Sequence, residues 1–191
     1  MNAPGITRHR RPFLAPIWIG AVLAVLAGTL VFVGVRFAIL YLTDVSTIVV
    51  LRHAEKSDAP AGDPALSAAG QARAERLAAM FGSPSDAGPV RHVYASDTRR
   101  ARETAAPLAA RLGLPVRTLP AGDVAALLRT LRAEGHGETA VVVGHANTVP
   151  QIVAGLSGGR VRVSLDDEDY GSLFIVTVSS FGPPRVLRLR Y

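Results

Sequence analysis

From Thr47 onward, short apolar runs rich in β-branched residues alternate with Ala/Leu/Arg-rich stretches of helical period. A chain written this way can bury its strands on both faces only if helices cross between them, which predicts a three-layer α/β/α domain around a mostly parallel sheet. Thr47–Leu51 reads as the first strand, and Ser67 caps a helix running to about Phe81. Residues 92–95 form a second strand, followed by a helix over 97–112 that Pro107 should kink or split, since its ring clashes with the preceding turn and it has no N–H to give. Then come a strand at 116–119, a helix at 123–133, a strand at 140–143, a helix at 149–156 and closing strands at 173–178 and 186–189. Gly82–Gly88 and Ser57–Pro64 are turn-rich loops.

The segment before this domain is of another kind. Pro12 to Val35 carries no charge, and as a helix it would span about 36 Å at roughly 1.5 Å per residue. A bilayer core is about 30 Å thick, so the segment can cross it with some tilt. Trp18 and Tyr41 flank it where aromatic rings favour the headgroup level. A buried core helix is the bland alternative and a cleaved signal peptide the stronger rival, but the apolar run exceeds a signal's usual 7–15 residues or so and lacks a convincing Ala-x-Ala site. Arg8, Arg10 and Arg11 precede the span, while Arg36, close to Asp44, follows it. The positive-inside rule then keeps the N-terminus in the cytoplasm and sends the larger domain out. The organisation expected is a basic cytoplasmic N-terminus (1–11), a single-pass inner-membrane anchor with its juxtamembrane segment (12–42), and an extracytoplasmic domain (43–191).

Composition narrows the chemistry. The 191 residues include no cysteine, which removes disulfides, thiolate metal sites and a cysteine nucleophile. The net charge of +6 is spread between the N-terminal segment and the domain, with basic residues scattered among acids and few aromatics, so a nucleic-acid partner is not expected. The histidines and carboxylates match no zinc spacing, and neither a metal nor an organic cofactor is expected.

Three segments set polar residues directly after strands, where open α/β sheets gather ligands. They are Leu51-Arg52-His53-Ala54-Glu55-Lys56, Ser96-Asp97-Thr98-Arg99-Arg100-Ala101-Arg102-Glu103-Thr104, and Gly144-His145-Ala146-Asn147. Ser96 or Asp97 can cap the second helix, whose free N–H groups and arginines then suit an anion. Three arginines in four positions cannot share one helical face, and Arg99 and Arg102 read as solvent-facing. Gly144 lets the backbone turn closely beneath a ligand. The acidic run Asp166–Asp169 before Tyr170 reads as a solvated loop; were it to border the site, it would favour substrates with a cationic part.

In this order, and with Leu66-Ser67-x-x-Gly70 between the first two, these motifs resemble the histidine phosphatase superfamily, the phosphoglycerate mutase-like fold, over roughly residues 47–190. The resemblance implies that His53 is the nucleophile, attacking phosphorus to give a phosphohistidine that water then hydrolyses. Arg52, Arg100 and His145 would complete the catalytic cluster and, with Asn147, bind the phosphoryl group. Cations around His53 favour its neutral, nucleophilic form. The general acid is less well marked: Glu55 is near in sequence, and Asp123 begins a helix where a cap is its ordinary role. The implied activity is cofactor-independent hydrolysis of a phosphoester or phosphoramidate in a phosphorylated small molecule or phosphoprotein. A tethered phosphate-binding module without turnover is the alternative, and mutase activity is disfavoured by the short connection after the third strand.

Overall fold

The computed structural model describes residues 17–42, 45–58, 62–83, 89–180 and 182–191. The chain divides into two units, Met1–Leu42 and Thr43–Tyr191. In the first, α1 (Ile17–Leu42) is one helix of 26 residues. Its stretch Trp18–Ile39 has a mean hydropathy of 2.3 and is long and apolar enough to cross a membrane. The helix continues through Arg36, beyond the Val35 boundary expected from charge alone. A long arginine stem can lie along an apolar helix while its head reaches polar surroundings. Arg8, Arg10, Arg11 and residues 12–16 lie outside the described residues.

Among the described residues, the second unit holds six strands and four helices in the predicted order: β1 (Val45–Arg52), α2 (Ala68–Phe81), β2 (Val90–Ser96), α3 (Arg99–Leu112), β3 (Val116–Leu119), α4 (Val124–Glu134), β4 (Thr139–Gly144), α5 (Val149–Leu156), β5 (Ser172–Ser179) and β6 (Arg185–Arg190). They form one sheet in the order β3-β2-β4-β1-β5-β6. The pairs β3–β2, β2–β4 and β4–β1 are parallel, while β5 and β6 add antiparallel pairs at one edge. The sheet is therefore mixed, with a parallel centre.

Period-two alternation divides the core into two layers. Val49, Leu51, Val93 and Val143 face α2 and α3, where they meet Leu77, Ala105 and Leu108. Ile48, Val50, Val142 and Phe174 face the other way, towards Leu127, Ile152 and Val153 of α4 and α5. This two-sided burial explains why β1 reads as a continuous apolar run. Pro107 does not split α3, which is one helix over Arg99–Leu112. Ala105, Leu108 and Ala109 are buried on either side of it, so packing holds the helix together despite the missing N–H.

The segment after β1 is pinned to α2. The Ser67 N–H donates to the Glu55 carbonyl at 2.9 Å, and the Ser67 hydroxyl accepts from the Gly70 N–H at 3.1 Å as the helix cap. A Cβ at Gly70 would lie 2.1 Å from the Glu55 carbonyl oxygen. The spacing of Leu-Ser-x-x-Gly is thus that of a cap and a close backbone crossing. Gly70→Ala should lower stability by about 1–3 kcal/mol through overpacking, measured as a shift of the urea unfolding midpoint; an unchanged midpoint would show that the crossing relaxes freely.

Candidate active site

Strand pairing brings the two motif histidines together. Arg52 of β1 lies opposite Gly144 of β4, and one further bond, from the His53 N–H to the Gly144 carbonyl at 2.9 Å, carries the pairing past the strand ends. His53 and His145 leave this junction side by side, with ring centroids 5.2 Å apart and planes at 64°. The neighbouring strand β2 ends at Ser96, and the first turn of α3 supplies Arg100. Open hollow space of about 440 Å³ lies over these ends, lined by Arg52, His53, Lys56, Arg100, His145 and Asn147, among others.

Hydrogen bonds assign the proton on each imidazole. Arg100 Nε–H can only donate, and it does so to His53 Nε2 at 3.1 Å. His53 Nε2 therefore carries a lone pair, and Nδ1–H donates to the Ala54 carbonyl at 2.8 Å. His145 has the opposite arrangement. Its Nδ1 faces Arg100 Nη2 at 3.5 Å, and its Nε2 lies 2.7 Å from the Ser96 hydroxyl, which with Nε2 as donor passes its own proton to Thr98 Oγ1 at 3.1 Å.

Both rings are neutral at ordinary pH. Burial is the main cause of the fall of the His53 pKa to about 4, and His145, Arg100 and Arg52 push the same way against the hydrogen bond to Ala54. His145 also falls to about 4, first through burial and then through Arg100 and Arg52.

Each position of the helix motif has a job in holding this geometry. Ser96 orients His145. Ala101 is fully buried against the sheet. The Thr104 hydroxyl accepts from the Ala54 N–H at 2.9 Å and donates to the Arg100 carbonyl at 2.7 Å, linking the residue after His53 to the residue carrying the guanidinium. On the other side, Thr148 Oγ1 accepts from the His145 N–H at 2.9 Å. A Cβ on Gly144 would lie 2.9 Å from that hydroxyl, so the glycine makes room for Thr148 and not for a ligand.

The structure changes several expectations. Neither Ser96 nor Asp97 caps α3: Thr98 is the N-cap and makes no side-chain cap bond. The carboxylate of Asp63 takes the Arg99 N–H instead, at 2.8 and 3.0 Å, and its Oδ1 lies 3.6 Å from Arg100. The expected anion position at this helix start is thereby occupied in part by a side chain from the preceding loop. Glu55 is engaged by Arg73 at 2.6 Å, and this hydrogen bond holds its carboxyl below the usual range. Asp123 accepts from the Ala126 N–H at 2.8 Å as the cap of α4. Neither candidate acid faces the histidine pair. Arg99 pairs with Glu103 on the exposed face of α3, and Arg102 is exposed.

The acidic run borders the site while staying largely solvated, with Asp166, Asp167 and Glu168 exposed. Arg52 Nη1 donates to the carbonyls of Asp166 and Asp167 at 3.1 and 2.6 Å. The Tyr170 ring covers the guanidinium at 4.1 Å and lies 5.9 Å from the His53 ring. Asp169 is buried. These contacts join residues more than a hundred positions apart and leave no local signal in the sequence.

Residues 48–121 match the family model of the histidine phosphatase superfamily (branch 1). Among solved structures, protein histidine phosphatase SixA complexed with tungstate is 22% identical, with a TM-score of 0.62, covering 75% of this chain and 96% of its own. Mycobacterial glucosyl-3-phosphoglycerate phosphatase in complex with VO3 is 18% identical, with a TM-score of 0.55, covering 76% of this chain and 98% of its own. These likenesses show the same fold. Curated protein sequences give no match. The histidine phosphatase match supports a hydrolase acting on phosphate groups.

The low histidine pKa values fix a dependence on pH. An unfolded histidine binds its proton near 6.5, whereas in this domain both fall to about 4. The unfolded state thus takes up more protons in that window, and the stability tied to the two neutral rings is complete above the upper value and lost as pH falls to the lower. Urea midpoints measured from pH 7 to 4 should fall more steeply in the wild type than in a His53→Asn/His145→Gln variant; parallel curves would refute the assignment.

Proposed function

We propose that the chain is a membrane-anchored, cofactor-independent phosphatase that works through a phosphohistidine on His53 Nε2. The observation that carries this reading is the neutral His53, its lone pair presented to Arg100 beside Arg52 and His145. A phosphoryl dianion entering the hollow draws the guanidinium of Arg100 to its oxygens and uncovers Nε2. The lone pair then attacks phosphorus: the N–P bond forms, the bond to the leaving group breaks, and the bonding pair departs with that group. Arg52 and Arg100 stabilise the equatorial charge, and His145, once protonated beside the dianion, donates from Nδ1. Water attacks the phosphohistidine next, releasing inorganic phosphate and restoring the imidazole.

The leaving group's proton bears on the substrate. With Glu55 held by Arg73 and Asp123 capping α4, a substrate that needs little acid assistance fits best, and a phosphohistidine is of that kind because imidazole leaves readily. The fold likeness to a protein histidine phosphatase agrees with this choice. The tungstate and VO3 held by the two similar structures make such oxyanions suitable probes for the hollow here. The anchor is α1, and the arginines before it support a cytoplasmic N-terminus with the domain on the extracytoplasmic side of the inner membrane.

Incubation with a labelled phosphodonor should give the wild type an acid-labile, base-stable label that decays with release of phosphate, and should leave His53→Ala unlabelled. Saturable phosphate binding without label would favour a non-catalytic binding module. Arg100→Met should lower kcat by about 10²–10³-fold, the scale of losing one preorganised donor to the transition state. For topology, a reporter that is active only outside the cytoplasm should be active when fused after Tyr191; activity of a cytoplasm-only reporter there would reverse the orientation.

A further inference from the structure

Arg52 is buried beside the nucleophile, yet its position is not set by β1 alone. Its Nη1 is held by two carbonyls of the 166–167 segment, and its flat face is covered by Tyr170. What holds that segment is Asp169. Its N–H donates to the Asp166 carbonyl at 3.0 Å, closing a turn on the same oxygen that receives Arg52. Its side chain, 7% exposed, reaches the start of β5 and across to β6. Oδ1 accepts from the Ser172 N–H at 3.1 Å and Oδ2 from the Ser172 hydroxyl at 2.8 Å. Arg188 Nη2 donates to Oδ2 at 2.7 Å, and Arg190 Nη2 lies 3.4 Å from Oδ1. Burial alone would raise the pKa of this carboxyl, but the Ser172 bonds and the two arginines outweigh it and hold it below the usual range.

We propose that Asp169 is a positioning residue for Arg52: clasped by Arg188 of the edge strand, it holds the 166–170 turn so that the Asp166 and Asp167 carbonyls and the Tyr170 ring fix the guanidinium beside His53. A guanidinium has many rotamers, and each donor arrested before the dianion arrives is ordering that binding need not supply. The two carbonyls accept from Nη1, and Nε is buried without a partner among the described residues, which leaves Nη2 to meet phosphoryl oxygens. The Asp169–Arg188 pair involves a nearly buried carboxylate and a half-exposed arginine, so its removal loosens the turn without opening either core layer. The inference rests on the proposed role of Arg52 as a phosphoryl ligand, but the order of Arg52 can be read without turnover.

The test uses the full chain in detergent micelles, with Asp169→Asn and Arg188→Met as separate variants and orthovanadate as probe. Nitrogen-15 relaxation of the Arg52 side-chain N–H should show it ordered in the wild type and mobile in both variants. Orthovanadate inhibition should weaken about 10–100-fold, the scale expected for a misplaced binding group. KM for p-nitrophenyl phosphate should rise more than kcat falls, and neither variant should add to the loss already caused by Arg52→Lys. If Arg52 stays ordered and orthovanadate affinity holds in a folded Asp169→Asn or Arg188→Met protein, or if the effects add fully to those of Arg52→Lys, the positioning role is overturned. If the wild type neither binds orthovanadate nor turns over, the phosphatase reading fails; the relaxation data still decide whether the clasp orders Arg52.

Discussion

The backbone bond from His53 to the Gly144 carbonyl is the constraint on which the site depends. Parallel strands diverge once their ladder ends, and residues placed just beyond it are ordinarily free to separate. Here the β1–β4 ladder is extended by one residue, so two imidazoles 92 positions apart in sequence leave the sheet from a shared edge. All other contacts refine this placement. Thr104 draws the chain after His53 onto α3, Thr148 turns the chain after Gly144 inward, and Ser96 sets the tilt of the second ring. The cluster is held by backbone and hydroxyl groups whose positions the sheet fixes, so it needs no reorganisation of the fold to present a neutral imidazole.

Charge then sets reactivity. Two buried imidazoles with two guanidinium groups beside them would repel one another if protonated, and burial adds to that penalty. The two histidines therefore add no charge to the resting site, and the arginines beside them suit an anion. The carboxylates nearby are used to orient cations: Asp63 lies beside Arg100, and the 166–170 turn grips Arg52 through carbonyl oxygens. Carbonyls fix a guanidinium without cancelling its charge, as a carboxylate would. Arg52 thus keeps its attraction for an anion, while Arg100 is shared by two imidazoles and Asp63.

The strands and helices were legible because their signals are local. The apolar runs of β1 and β4, the Ser67 cap and the order of elements are each written within a few residues, and they appear in the structure with boundaries moved by one or two positions. The strand-end segments carrying His53, Arg100 and His145 were legible for the same reason. What stayed hidden were the contacts between distant segments that no motif marks. Asp63 at the start of α3 has no spacing relation to Arg99, and the acidic run resembles any solvated loop until β6 places Arg188 against Asp169. Pro107 shows the converse. A strong local signal for a break was overruled by tertiary packing on both sides of it.

The edge of the sheet follows from the same division between local and distant information. A parallel sheet that ended at β1 would leave the strand leading to His53 with an unpaired side. The antiparallel pair β5–β6 covers it, and the connection entering β5 must pass the carboxyl end of β1, where the hollow lies. Once there, its carbonyls accept from Arg52 Nη1, although the buried Nε keeps no partner among the described residues. The strand that closes the edge also supplies the arginine that fixes the connection. Covering an exposed strand and ordering the Arg52 side chain are therefore two results of one placement, which is why the antiparallel edge belongs to this side-chain cluster as much as to the stability of the sheet.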